Sequence, residues 1–131
     1  MPAAGEVFRA RSPGTHPYVI VTNPAADGKF AIANFTTKAD RPREDQSCVL
    51  VPGDHPFITH DTIIRYADAY LTDEGALRGL LSQSLIEFLV PVSPQVLKRI
   101  QEGALVSRLT PGKIRAAVSA EINPPQPDEP E

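Results

Sequence analysis

Two apolar runs joined by a turn constrain this chain more than anything else in it. Tyr18–Thr22 (YVIVT) is unbroken β-branched and aromatic sequence, the composition of a central strand. Pro17 before it has no N–H to give to a ladder, which suits the first position of a strand. Asn23–Lys29 (NPAADGK) follows, and its Asp27-Gly28 pair tolerates the positive φ of a hairpin turn. Phe30–Phe35 (FAIANF) is the returning strand, with Asn34 as a polar residue in a run that otherwise reads as buried.

Around that hairpin the pattern predicts further short strands at Gly5–Ala10, Cys48–Val51, Thr62–Ala67 and Ser84–Val90. The Thr62–Ala67 assignment competes with a helical face made by Ile63, Ile64, Ala67 and Tyr70. A short helix is expected over Thr72–Gly79, with Thr72 as its N-cap. Ser93-Pro94 is a helix start, serine capping and proline at the first helical position, and Thr110-Pro111 repeats the signal. Strands first and helices last predict an α+β fold, a small antiparallel sheet or barrel with C-terminal helices. Residues 1–122 are expected to form one domain. Residues 123–131, NPPQPDEPE, are expected to be a disordered, acidic, Pro-rich tail.

Net charge is −3, which argues against a polyanionic partner until the tail is set aside. Residues 121–131 hold four acids and no base, and without them 13 basic residues face 12 acidic ones. That balance neither requires nor excludes RNA. One cysteine cannot form an internal disulfide, no stretch reaches the ~18 apolar residues of a membrane span, and MPAAGEVFRAR has no apolar signal region. The expectation is a cytoplasmic protein with no membrane contact.

Reactive side chains concentrate in Ser47–His60, SCVLVPGDHPFITH, which holds Cys48, Asp54, His55 and His60. The spacing C-x6-H-x4-H lacks the paired knuckle of a zinc site, and a cysteine flanked by Val49 and Leu50 reads as core. No metal and no cofactor is expected. A Cys–His nucleophile needs a lowered thiol pKa, and nothing puts Cys48 at a helix start. Histidine acid/base chemistry is the remaining candidate. Attack of an RNA 2′-OH on its own phosphodiester needs a base, an acid and groups that stabilise the phosphorane, and histidine serves either proton-transfer role. His16 before one strand and Thr36 at the end of the next are expected on one rim, with His55 and His60 facing them. Arg9, Arg11, Arg41, Arg43 and Arg65 are candidate phosphate contacts. The competing reading makes His55 and His60 structural, bonded to loop carbonyls.

The order GEVF, PYVIVTNP, FAIANFTT resembles the MazF/PemK-like toxin endoribonucleases over the first third of the chain, and more loosely through TIIRYADA and the C-terminal helices. The resemblance implies a small SH3-like β-barrel, a homodimer, metal-free cleavage of single-stranded RNA, and neutralisation by an antitoxin protein. In that family an arginine directly before the proline of the second strand and a threonine after the third contribute to catalysis. The arginine position reads His16 here, the threonine position matches Thr36, and PGDHPFITH is not part of the family's ordinary pattern. The resemblance implies roles for the His16 and Thr36 positions; with the histidine reading above, the expected catalytic set is His16 and Thr36 with His55 and His60 around them. The expected substrate contacts are Arg11, Asn34, Thr37 and Arg65. The alternative is a non-catalytic SH3-like module that binds protein or nucleic acid through the same rim.

Overall fold

The computed structural model describes residues 2–11 and 17–123. His16 and most of the expected tail, residues 124–131, lie outside the described residues. In chain order come β1 (Val7–Ala10), β2 (Pro17–Ile20), β3 (Lys29–Thr37), β4 (Val49–Leu50), β5 (Thr62–Asp73), α1 (Glu74–Ser82), β6 (Ile86–Leu89), α2 (Pro94–Val106) and α3 (Gly112–Ile122). The strands form one antiparallel sheet in the order β4-β5-β3-β2-β1-β6, curled into a half-barrel. The fold is α+β.

The absence of alternation in YVIV and FAIA follows from burial on both faces of the sheet. Val19, Ala31, Ala33 and Phe35 join the larger core, with Ile100 and Ala104 of α2 and Ile114 and Val118 of α3. Ile20, Phe30 and Ile32 point the other way and pack with Phe8, Ile86 and Leu77 of α1. Strands covered on both sides need apolar residues at every position. The Asp27-Gly28 turn adopts the expected geometry, with Gly28 at φ 82° and its N–H donating to Ala25 O at 2.8 Å.

Three expectations about element boundaries need correction. The strand expected over Thr62–Ala67 runs on to Asp73, because residues 70–73 pair with Lys29–Ile32. The pairing register shifts between Ile32 and Asn34, which puts Tyr66–Ala69 in a bulge and accounts for the helix-like spacing read there. The following helix begins one residue after Asp73, whose Oδ1 accepts from Ala76 N at 2.9 Å; Thr72 stays in the ladder opposite Phe30. Ser93 caps α2 as expected, with Pro94 at the first position. Thr110 does not cap α3: Pro111 holds the cap position without a side-chain bond, and Thr110 Oγ1 is buried without a partner among the described residues.

Helix α2 lies close on the sheet. A Cβ at Gly103 would stand 2.3 Å from Tyr66 Oη and 2.9 Å from Cys48 Cβ, so only glycine fits that crossing. Tyr66 Oη donates to Ile100 O at 2.7 Å, and burial holds both the Tyr66 phenol and the Cys48 thiol above their ordinary pKa values. Cys48 is therefore a buried neutral thiol. Among the described residues no helix is long and apolar enough to cross a membrane.

Candidate functional site

The segment between β4 and β5 resolves into an anchored part and an open part. Asp54 is spent on anchoring. Its Oδ2 accepts from Val51 N at 2.8 Å and its Oδ1 from Arg99 of α2 at 3.2 Å, while Arg99 also donates to Val49 O at 2.7 Å. His55 turns inward and is buried. Its Nδ1 accepts from Phe57 N at 3.2 Å and its Nε2 bonds Val90 O. Val90 directly follows β6, so this imidazole joins the two edges of the open sheet, β4 on one side and β6 on the other. It also packs on Phe57, centroid to centroid 4.6 Å, and Phe57 meets Phe35 edge-on at 4.9 Å.

His60 is exposed and points into a cleft of about 450 Å³. Its Nε2 lies 2.9 Å from Thr37 Oγ1, and its Nδ1 lies 3.2 Å from Thr59 Oγ1. The cleft is built at the ends of β2, β3 and β5. Pro17, Thr36 and Thr37 line one side, Thr59 and His60 another, and Phe35 and Phe57 give it an apolar floor. Thr37 stands opposite Thr62 and Thr36 opposite Ile63 in the β3–β5 ladder, which sets the hydroxyls beside the histidine loop. Arg9 also lines the cleft, but it is paired with Glu87, as is Arg11 through a 3.1 Å contact. The Arg9 hydrogen bond holds the Glu87 carboxyl below its usual range, with the charge of both arginines adding to it.

Of the residues singled out in the sequence, Thr36, Thr37 and His60 meet in this cleft, with Arg9, paired to Glu87, on its wall. Pro17, the neighbour of His16, lines it as well; His16 itself lies outside the described residues. His55 does not take part: it is buried, lines neither cleft, and both of its nitrogens are bonded to main chain, which cannot turn aside as a side-chain hydroxyl can. Arg11 is drawn to Glu87. Asn34 sits in the sheet between Tyr18 and Arg65 and lines neither of the two clefts that meet at Thr36 and Thr37. Arg65 lines a second cleft, of about 200 Å³, with Arg41 and Arg43; Thr36 and Thr37 form the ridge shared by the two. Thr59, Thr62 and Phe57 were missed by sequence reasoning. The only signal for them was their place beside His60 in FITHDT.

Cys48, His55 and His60, weighed in the sequence as zinc donors, point to three different places. Among the described residues no three His, Cys, Asp or Glu side chains are gathered in a way that would hold a metal ion. Compared with known proteins, the chain matches no family model and no curated protein.

Proposed function

We propose that this chain is a divergent MazF/PemK-like toxin that cleaves single-stranded RNA without a metal ion and is neutralised by an antitoxin. In this reading the curled sheet is an SH3-like barrel with its C-terminal helices packed on one face, and the protein works as a cytoplasmic homodimer. The observation that carries the proposal is the His60 ring held between two hydroxyls, next to Thr36, in a cleft open to solvent.

A hydroxyl both donates and accepts, so the Thr37 and Thr59 contacts accommodate His60 in either tautomer and in its protonated form. Such a group takes a proton and returns it without losing its orientation. Histidine removes the 2′-OH proton, the 2′-oxygen attacks the adjacent phosphorus, and the 5′-oxygen leaves with a proton from an acid. The products are a 2′,3′-cyclic phosphate and a 5′-hydroxyl. His16, next to the cleft-lining Pro17, is the partner proposed for the second proton transfer. Thr36 and Thr37 offer hydroxyl donors to the phosphorane oxygens.

The test is incubation of end-labelled single-stranded RNAs with the protein in excess EDTA. Wild type is expected to give cyclic-phosphate products and His16→Ala to lose them; a correctly folded wild type that leaves every RNA intact sinks the enzyme reading. A second reading, a non-catalytic SH3-like module, is favoured by one observation: Glu87 occupies both Arg9 and Arg11, leaving the His60 cleft with little uncompensated positive charge.

A further inference from the structure

In the sequence the β3–β4 connection looks electrically neutral: Lys38, Arg41 and Arg43 stand against Asp40, Glu44 and Asp45. The structure gives these charges different partners, although Glu44 and Asp45 line the same cleft as Arg41 and Arg43. Glu44 turns back on its own loop and accepts from Ala39 N at 2.9 Å, Asp40 N at 3.1 Å and Gln46 Nε2 at 3.1 Å. The Ala39 amide chiefly holds its carboxyl below the usual range. Asp45 accepts from Ser47 Oγ and from Ser107 Oγ, each at 2.5 Å, and so ties the loop to the end of α2. Asp40 is paired with Lys38. The acids serve as staples, while Arg41 and Arg43 make no ion pair or side-chain hydrogen bond among the described residues.

The two arginines line the second cleft together with Arg65. Arg65 Nε lies 3.2 Å from Asp68 Oδ2 in an exposed ion pair, and no bond engages its terminal nitrogens among the described residues. Arg43 sits at φ 65°, a left-handed conformation that costs a bulky residue about 1 kcal/mol and persists only where its surroundings enforce it. The stapled loop does that; Glu44 and Asp45 in the cleft wall give their oxygens to loop and α2 donors, and three guanidinium groups face two carboxylates there. Guanidinium is planar and matches phosphate with two parallel N–H bonds.

We infer that the cleft walled by Arg41, Arg43 and Arg65 binds a backbone phosphate of single-stranded RNA, the one flanking the phosphate held at His60. The assignment to RNA rests on the proposed function; the arginine cleft itself does not depend on cleavage. Thr36 and Thr37, common to both clefts, are the ridge the strand crosses. This arrangement gives an acidic chain a local site for a polyanion.

The experiment is fluorescence anisotropy of a labelled 2′-O-methyl single-stranded oligonucleotide, which cannot be cut, at several salt concentrations. Arg41→Gln/Arg43→Gln is expected to weaken binding about tenfold at low salt and to flatten the log K against log salt slope by roughly 0.7 per arginine removed. Arg65→Gln is expected to act in the same direction, and His60→Ala to leave the slope unchanged. Gln keeps much of the stem, and an unchanged unfolding midpoint shows that the loop is intact. Should the double variant unfold, the Arg65→Gln slope decides. Affinity and slope unchanged in the arginine variants overturn the site, as does a wild type that does not bind at low salt. Wild type that binds with this salt dependence but cuts no natural RNA overturns the cleavage reading alone. Wild type that cuts RNA while the arginine variants bind normally overturns the phosphate site alone.

Discussion

His55 and His60 lie five residues apart in one loop, and their hydrogen bonds follow opposite logic. His55 is bonded to main chain at both nitrogens: Phe57 N–H can only donate and Val90 C=O can only accept. That fixes one tautomer, with the proton on Nε2, and makes the ring a structural crosspiece between the two ends of a curled sheet. His60 is bonded to two hydroxyls, each able to reverse its role, and it faces a cleft. Partner type, more than residue type, separates a structural histidine from one equipped to move protons.

The largest effect that tests this contrast is on catalysis. Under the proposed endoribonuclease function, His60→Ala is expected to lower RNA cleavage about 10²–10⁴-fold, the usual contribution of one acid/base group. Its unfolding free energy should move by less than about 0.5 kcal/mol, because the residue is exposed. Cleavage within a few-fold of wild type would remove His60 from the mechanism and favour the binding-module reading.

His55→Ala should do the reverse. It leaves Phe57 N–H and Val90 C=O without this partner and opens a gap beside Phe57, for a loss of about 2–4 kcal/mol in urea unfolding. The folded fraction is expected to keep cleavage within about tenfold of wild type, since His55 acts on the cleft only by supporting Phe57. A stability change under about 0.5 kcal/mol would mean that the crosspiece carries no weight.

Sequence reasoning could not have told these two histidines apart. Their deciding partners, Val90 and Thr37, lie 35 and 23 residues away, and nothing local announces either contact. What was legible was local chemistry: the Asp27-Gly28 turn, the Ser93-Pro94 helix start, and the continuous apolar strands flanking the turn. Thr110-Pro111 carried the same start signal as Ser93-Pro94 and misled, because Arg115 donates to Leu105 O and Ser107 O and joins the two helices without a threonine cap. β5 extends beyond Ala67 because its second half pairs with the start of β3, a contact about forty residues distant that the local pattern does not show. Summed charge hid the arginine cleft, since neutrality along the loop says nothing about which charges are taken up by the loop's own donors.

A smaller effect probes the hydroxyls around His60. Thr37→Val keeps the side-chain shape and removes the Nε2 partner. Cleavage is expected to fall about fivefold to tenfold, the worth of one hydrogen bond, with stability nearly unchanged because the side chain is exposed. An equal loss in Thr62→Val, whose hydroxyl donates to His60 O rather than to the ring, would show that general loosening of the loop is at work.

The sharpest test changes neither rate nor stability. Two-bond nitrogen–proton NMR correlations of the imidazole rings report which nitrogen holds the proton. At a pH where both rings are neutral, His55 should show a single Nε2–H tautomer, dictated by a donor on one side and an acceptor on the other. His60 should show averaging between tautomers, because Thr37 and Thr59 satisfy both. In Thr37→Val the His60 equilibrium should shift while His55 stays as it was, since no bond connects them. A His60 ring locked in one tautomer in wild type would place a fixed donor or acceptor in the cleft. It would then be suited to hold a ligand rather than to relay its proton, and the contrast between the two histidines would reduce to one of burial.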